Sequence, residues 1–140
     1  GDVYKRQLMN IFKIASPKIA VLGVNPHAGE SGTIGDEELS IIMPAIDELR
    51  HEGYDANGPV SADTVFTRTE YDAVLSMYHD QALPVLKTID FHKTVNITLG
   101  LPFLRLSVDH GTAEDIAKNY SANHQSMMEA LLISITRNEA

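Results

Sequence analysis

KIAVLGVNPH, residues 18–27, is the stretch that decides the fold. It begins with an almost continuous apolar run, and Asn25-Pro26 ends that run. Short, unbroken apolar runs are typical of strands that are covered on both faces, as in a parallel sheet. The pattern therefore predicts a buried strand over residues 18–24 and a loop beyond it that carries His27.

The segment after this loop is predicted to be a helix. Apolar residues recur there at helical spacing, with Asp36 as the N-cap and Gly53 after the last turn. Pro44 lies inside the pattern and predicts a kink or a later start, because proline has no backbone N–H to donate. The apolar residues are Leu39, Ile42, Met43, Ile46 and Leu49.

Strands and helices alternate along the rest of the chain. We expect a weak loop-and-strand segment at 58–66, strands at 71–77 and 95–102, a short helix at 81–87, and a short helix or turn at 112–119. A last helix has a predicted apolar face of Met127, Met128, Leu131, Leu132 and Ile135. This alternation indicates an α/β fold with a largely parallel sheet and flanking helices.

The composition narrows the function classes. The length of 140 residues and the hydrophobic content of 44% suffice for the core of one domain. A formal net charge of -8 disfavours a general binder of nucleic acid or anionic membranes. The sequence has no cysteine, so a metal site must use His, Asp, Glu or water. Because no apolar run reaches the ~20 residues of a membrane span and no signal peptide opens the chain, we expect a cytoplasmic protein.

The N-terminal stretch GDVYKRQ, residues 1–7, is interpreted as foreign. It resembles the translation of a transposon end that is used in preparing sequencing libraries. We therefore exclude residues 1–7 from fold reasoning and expect residues 8–140 to be the C-terminal part of a longer protein.

Three of the six histidines follow predicted strands or strand-like segments, namely His27, His79 and His110. Ligands gather at the carboxyl ends of strands in open α/β folds, and imidazoles from separate strands can converge on one Zn²⁺, Co²⁺ or Mn²⁺ ion. Asp63 and Asp80 are candidate partners that would ligate the ion or orient the imidazoles. The alternative for each histidine is a loop imidazole with a local hydrogen bond.

The glycine-rich loop before the first helix is a weak candidate for phosphate binding. Gly29, Gly32 and Gly35 have neither the spacing of the dinucleotide fingerprint nor that of a P-loop. Acidic residues around this loop would also repel an anion, so we expect a mobile loop beside the site.

Lys87, Asn96 and Arg105 are better candidates for binding an anion. The guanidinium of Arg105 can hold a phosphate or carboxylate with two hydrogen bonds, and Lys87 can act as a point charge. The alternative is that both cations are ordinary surface residues.

Four motifs together resemble a known family. LGVNPHAGESG, GPVSADTVF, MYHDQALPVLK and VNITLGLPFLRLSVDHGTAEDIA stand in the chain in this order. They are similar to the 4-hydroxythreonine-4-phosphate dehydrogenases of vitamin B6 biosynthesis, over residues 18–135. The resemblance implies an isocitrate/isopropylmalate dehydrogenase-like fold, and it implies that residues 8–140 are the C-terminal part of a metal- and NAD-dependent dehydrogenase.

The resemblance also implies roles for individual residues. His27 and His79 match two of three histidines that bind a divalent metal (Zn, Co, Mn or Mg), and the third lies upstream of this chain. Lys87, Asn96 and Arg105 match substrate contacts, and Lys87 is the candidate catalytic residue. The stretch His110, Gly111 and Thr112 matches the loop near the NAD adenosine, while Asp63 and Asp80 keep supporting roles.

The implied reaction is the NAD-dependent oxidation of the secondary alcohol of 4-phosphooxy-L-threonine. Its keto product loses CO2 to give 3-amino-2-oxopropyl phosphate, on the route to pyridoxal phosphate. The family works as a homodimer with a site shared between subunits. Two alternatives stay open, a related dehydrogenase for threonate or erythronate 4-phosphate and a non-catalytic metal- or nucleotide-binding module. Because one metal-binding histidine is missing, we expect the fragment alone to be inactive.

Overall fold

The computed structural model describes residues 2–112, 114–119 and 121–137. Its helices are α1 (Asp2–Phe12), α2 (Met43–His51), α3 (Ala62–Val65), α4 (His79–Asp90), α5 (Glu114–Ala117) and α6 (Gln125–Arg137). Its strands are β1 (Lys18–Leu22), β2 (Asp55–Val60), β3 (Ala73–Leu75), β4 (Val95–Thr98) and β5 (Arg105–Val108). Two further segments matter below, the His27 turn (Pro26–Gly32) and a π-helical turn (Glu38–Ile42).

The predicted parallel sheet is present, with β1 at its centre. The strand order is β2-β1-β3, and β1 pairs in parallel with both neighbours. Ile19 lies opposite Ala56 on one side and opposite Ala73 on the other. The α/β fold class predicted from the sequence is thus confirmed, with β1 as its deciding strand.

The core lies on both faces of β1, because successive side chains of a strand point in opposite directions. Val21 packs with Ile46 of α2 and with Ala56 of β2. Leu22, which is fully buried, packs on the opposite face with Val65 of α3. This two-sided burial is what the unbroken apolar run predicted.

Helix α2 starts later than its apolar pattern, as Pro44 predicted. The helix begins at Met43 with Pro44 in its first turn, where the missing N–H costs no hydrogen bond. The π-helical turn precedes it, with Glu37 rather than Asp36 at the N-cap. Gly53 follows the helix with a φ of +85°, a conformation that glycine adopts without strain.

Several predictions of secondary structure need correction. The strand predicted at 71–77 is only Ala73–Leu75 and is half-buried rather than buried. The third predicted strand corresponds to β4, which does not join the parallel sheet but forms an antiparallel pair with β5. The short helix predicted at 81–87 is the longer α4, which begins at His79 and tolerates Pro84 in its interior.

Two helices show what the sequence patterns did not reveal. Helix α1 runs through residue 7 without interruption, so the predicted foreign stretch shares a helix with the residues after it. Helix α6 forms as predicted but buries Ser126 and Ala130, while the large apolar residues of its predicted face stay about half exposed or more. Among the described residues, none of the helices has both the length and the apolar character needed to cross a membrane.

Candidate functional site

Two histidines lie beyond the same edge of the parallel sheet. Strands β1 and β3 are neighbours, and their carboxyl ends at Leu22 and Leu75 point the same way. His27 follows β1 in the His27 turn, and His79 opens α4 after β3. The sequence prediction had placed His79 at the end of the strand, whereas the structure places it at the first residue of the helix.

The imidazole of His27 lies between two carboxylates. Its Nδ1 is 2.7 Å from Oε1 of Glu30, and its Nε2 is 3.8 Å from Oδ2 of Asp63. The hydrogen bond to Glu30, followed by the charges of Glu30 and Asp63, raises the pKa of His27 above its ordinary value of 6.5. A metal ion must therefore compete with a proton for this ring, because only the neutral imidazole ligates.

Asp63 is held ionised beside His27. The hydroxyl of Ser61 donates to Oδ1 of Asp63 at 2.6 Å, and this bond is the main cause of the lowered pKa of Asp63. Its other oxygen, Oδ2, faces His27. At 3.8 Å from Nε2 this oxygen is too far for a hydrogen bond, so Asp63 acts on His27 through its charge.

A cleft of about 250 Å³ opens at this edge of the sheet. It is lined by Val24, Asn25, Pro26, His27, Ser61, Ala62, Asp63, Tyr78 and Gln81. Its walls therefore come from the loop after β1, the start of α3 and the start of α4. His27 and Asp63 thus share one cleft, whereas His79 does not line it.

His79 is exposed next to the cleft and pairs with its neighbour. Its Nδ1 is 2.6 Å from Oδ1 of Asp80, and 78% of its side chain is accessible to solvent. Since Nδ1 faces the carboxylate, Nε2 is the nitrogen that this arrangement leaves for a ligand. Asp80 thus contacts Nδ1 of His79 as Glu30 contacts Nδ1 of His27.

The described residues do not form a complete metal site. In the part of the chain that the structure describes, no group of three or more His, Asp and Glu side chains is arranged around a common point. The donors themselves fit a transition metal, because two imidazoles backed by carboxylates are ordinary ligands for Zn²⁺ or Co²⁺. What this chain offers is donors of the right chemistry in an incomplete set.

Lys87 is anchored within the chain. Its Nζ donates to the main-chain oxygen of Asp109 at 2.9 Å, lies 3.7 Å from the Oδ2 of the same residue, and stands 5.4 Å from the ring centre of Phe91. The lysine is half-buried, so its ammonium is fixed rather than free in solvent. Sequence analysis missed Asp109, although it directly precedes His110 in the motif VDHG.

Asn96 and Arg105 share one face of the β4–β5 hairpin. Asn96 lies opposite Ser107, and Thr98 lies opposite Arg105, so all four side chains point to the same side. Arg105 donates to the hydroxyl of Thr98 at 2.6 Å. Lys87 contacts Asp109, just beyond the other end of β5 from Arg105. At about 3.3 Å per residue, the two cations are therefore roughly 13 Å apart along the strand.

A second cavity of about 350 Å³ adjoins the segment that resembles an adenosine-binding loop. His110 and Gly111 line it together with Phe91, His92, Ile116, Ala122, Asn123 and Ser126. A Cβ added to Gly111 would meet no atom within 4 Å, so the backbone is open to a ligand there. Thr112 is exposed but does not line the cavity. Aromatic, glycine and amide groups of this kind fit an adenosine.

Two buried polar side chains hold this end of the sheet together. Glu38 accepts hydrogen bonds from the backbone N and the Nδ2 of Asn25, at 2.7 and 2.9 Å. Gln81 donates to the carbonyl of Gly23 at 2.6 Å and accepts from the backbone N of Met77 at 2.7 Å. Glu38 was not singled out from the sequence, where its only signal is a place in the segment predicted to be a helix.

Comparisons with known proteins identify relatives of this chain. The chain is 55% identical over 128 residues to the 4-hydroxythreonine-4-phosphate dehydrogenase of Bradyrhizobium diazoefficiens, which covers 89% of this chain and 37% of that protein. The enzyme of the same name from Wigglesworthia glossinidia brevipalpis is 53% identical, with 91% and 40% covered. The chain thus spans about two fifths of the length of these curated relatives.

Solved structures of dehydrogenases resemble the fold of this chain. A crystal structure of 4-hydroxythreonine-4-phosphate dehydrogenase from Klebsiella pneumoniae superposes with a TM-score of 0.82 at 45% identity, over 94% of this chain and 41% of that one. A terephthalate 1,2-cis-dihydrodiol dehydrogenase from Burkholderia xenovorans LB400 follows with a TM-score of 0.75 at 31% identity, over 96% and 44%. The family described as pyridoxal phosphate biosynthetic protein PdxA matches residues 2–134. The chain belongs to the PdxA family.

Proposed function

We propose that the protein to which this chain belongs is a 4-hydroxythreonine-4-phosphate dehydrogenase of pyridoxal phosphate biosynthesis. The observation that carries this proposal is the identity of 52–56% to curated relatives of that name. The enzyme oxidises the secondary alcohol of 4-phosphooxy-L-threonine: a hydride passes to NAD and the hydroxyl proton is released. The β-keto acid then loses CO2 and becomes 3-amino-2-oxopropyl phosphate.

His27 and His79 are the proposed metal ligands of this chain. Their place beyond one edge of the sheet supports a shared ion, and the carboxylates of Asp63 and Asp80 orient the two rings. A third protein ligand comes from a part of the protein outside this chain, because catalytic zinc ions typically have three. When bound, the divalent ion supplies Lewis-acid stabilisation of the negative charge that develops on the substrate oxygen.

Lys87, Asn96 and Arg105 are proposed to bind the substrate. Arg105 and Asn96 present donors on one face of the hairpin, which suits the oxygens of a phosphate or carboxylate. Lys87 is held at Asp109, so its ammonium approaches the substrate from a fixed direction. Lys87 is also the proposed catalytic residue, since a held ammonium can donate a proton to the reacting group.

The stretch His110, Gly111 and Thr112 is proposed to lie against the adenosine of NAD. The open backbone at Gly111 and the cavity beside His110 support this assignment. Hydride transfer is the chemistry that NAD supplies, and the protein contributes binding and orientation. We further propose that the enzyme is a cytoplasmic homodimer with an active site shared between its subunits.

One alternative substrate class has support from a solved structure. The relative from Burkholderia xenovorans is named for a dihydrodiol, so the PdxA-like scaffold accommodates different secondary alcohols. That relative is only 31% identical, whereas the structure named for 4-hydroxythreonine-4-phosphate is 45% identical. The phosphorylated hydroxy-amino acid is therefore the preferred substrate, ahead of a dihydrodiol.

Turnover of the full-length protein tests this function. Purified full-length protein is supplied with NAD, Zn²⁺, Co²⁺ or Mn²⁺, and one of the three phosphorylated acids, and NADH is followed by its absorbance. We expect the highest kcat/KM with 4-phosphooxy-L-threonine and loss of turnover after chelation of the metal. Higher kcat/KM with a sugar-acid phosphate would reassign the substrate, and binding of NAD and metal without turnover of any acid would favour a non-catalytic module.

A further inference from the structure

Glu38 is a buried carboxylate at the base of the His27 turn. Only 1% of its surface is accessible to solvent. Its Oε1 accepts from the backbone N of Asn25 at 2.7 Å, and its Oε2 accepts from Nδ2 of Asn25 at 2.9 Å. Carboxylates are almost never this buried unless their oxygens are paired, so the contact with Asn25 is what allows Glu38 to be there.

The His27 turn wraps closely around this carboxylate. A Cβ added to Gly29 would lie 2.5 Å from Oε2 of Glu38, and one added to Gly23 would lie 2.8 Å from Oε1. Gly23 also stands against Ala28, since the same Cβ would be 2.7 Å from its Cα. The two glycines therefore let the backbone close over the carboxylate on both sides of Asn25.

The conformation of the turn requires such an anchor. Five successive residues, 27–31, have φ values between +42° and +77°. Left-handed backbone is unfavourable for any residue other than glycine, and only Gly29 of these five is a glycine. A run of this kind persists only when the surrounding structure fixes it. The contacts of Glu38 with Asn25 and with the two glycines supply that constraint.

We propose that Glu38 is a positioning residue that fixes the His27 turn and so aims the imidazole of His27 into the cleft beside Asp63. The proposal rests on the proposed role of His27 as a metal ligand. Glu38 itself does not line the cleft, so it acts through the turn rather than on the substrate. The chemistry it requires is two acceptor oxygens, one for the main chain and one for the side chain of Asn25.

Replacement of Glu38 by glutamine tests the proposal in the full-length protein. In Glu38→Gln one acceptor becomes an NH2 group that faces Nδ2 of Asn25, so a bond is lost with little change in volume. We expect backbone hydrogen exchange over residues 23–35 to become at least tenfold faster. Affinity for Co²⁺, titrated by visible absorbance without substrate, should fall at least tenfold, while KM for the substrate changes less than threefold.

Glu37→Gln is the matched control, because Glu37 also accepts from Nδ2 of Asn25, at 2.6 Å, but is exposed. We expect exchange and Co²⁺ affinity within twofold of the parent for this variant. A triple variant that exchanges donors and acceptors tests rescue. In the triple variant Asn25→Asp, Glu37→Gln, Glu38→Gln, the carboxylate at position 25 can accept from the amides at positions 37 and 38. This triple variant should regain at least half of the lost protection, and it remains informative if Glu38→Gln alone fails to fold.

The outcomes separate the two proposals. If His27→Ala weakens Co²⁺ binding but Glu38→Gln leaves both exchange and affinity unchanged, the positioning role of Glu38 is wrong. If His27→Ala leaves Co²⁺ affinity unchanged, the metal role of His27 fails, while faster exchange in Glu38→Gln would still show that the carboxylate holds the turn. No recovery in the triple variant would also count against the donor–acceptor pairing.

Discussion

The amide of Gln81 ties together the two strand ends that carry the histidines. Its Nε2 donates to the carbonyl of Gly23, just after β1, and its Oε1 accepts from the backbone N of Met77, just after β3. The side chain is 9% exposed, so water does not replace these bonds easily. Gln81 also lies two residues after His79 in α4, so it sets where that helix begins relative to β1.

Gln81→Met removes both hydrogen bonds while keeping the length of the side chain. A hydrogen bond contributes about 1 kcal/mol net, so the loss of two amounts to about 2 kcal/mol. Gly23 is buried, so leaving its carbonyl without a hydrogen-bond partner adds to this loss of stability. A change of about 2 kcal/mol corresponds to a roughly 30-fold larger population of the locally open state, at tenfold per 1.4 kcal/mol.

Hydrogen exchange of the full-length protein measures this population directly. We expect the amide of Met77 to exchange about 30-fold faster in Gln81→Met, at the magnitude just estimated for two hydrogen bonds. Gln125→Met is the matched control, because Gln125 is exposed at the start of α6 and should leave the amide of Met77 unchanged. Unchanged exchange at Met77 in Gln81→Met would show that this amide owes its protection to something other than the Gln81 side chain.

Three further predictions concern charge and completeness. Burial raises the pKa of Glu38, but hydrogen bonds from Asn25 and from the backbone outweigh this effect and hold the pKa below its usual 4.5. The stabilising effect of Glu38 is therefore present above pH 4.5 and is lost as the pH falls through the folded pKa. In urea titrations, the difference in unfolding free energy between the parent and Glu38→Gln should be largest at pH 7 and should shrink as the pH falls below 4.5. Arg105→Met in the full-length enzyme should lower kcat/KM by roughly 10- to 100-fold, mainly through KM, because a charged hydrogen bond contributes about 1.5–3 kcal/mol. The exposed control is Arg68→Met, and kinetics of Arg105→Met that do not differ from the parent would remove Arg105 from the site. Residues 8–140 alone should form no NADH with metal and substrate, and turnover should appear only when the N-terminal part of a relative is added. Turnover by the fragment alone would mean that His27 and His79 do not need a third ligand from upstream.

The central part of the fold was predictable because it depends on local patterns. The strand β1 is buried on both faces, and such strands can be recognised in a sequence as unbroken apolar runs. Pro44 indicated the late start of α2, since a first helical turn is where proline fits without loss of a hydrogen bond. The placement of His27 and His79 beyond one sheet edge followed from parallel pairing.

What the sequence did not reveal depends on pairings between distant residues. The pattern of β4 is rich in β-branched residues, which fits a parallel or an antiparallel partner equally well. Glu38 looks like an ordinary acidic residue of a first turn until its partner Asn25 is seen 13 residues upstream. The apolar residues of α6 predicted a buried face, but within the described chain the helix packs through small residues instead.

Helix α4 connects the two halves of the candidate site. It carries His79 at its first residue and Lys87 eight residues later, which corresponds to about 12 Å along a helix that rises 1.5 Å per residue. Gln81 fixes one end of the helix to β1 and β3, and Asp109 fixes the other end through Lys87. Because both ends are held, the separation between the proposed metal side and the proposed anion side is set by the helix itself. In HDQALPVLK, one helix therefore spaces the proposed metal ligand His79 from the cation of Lys87.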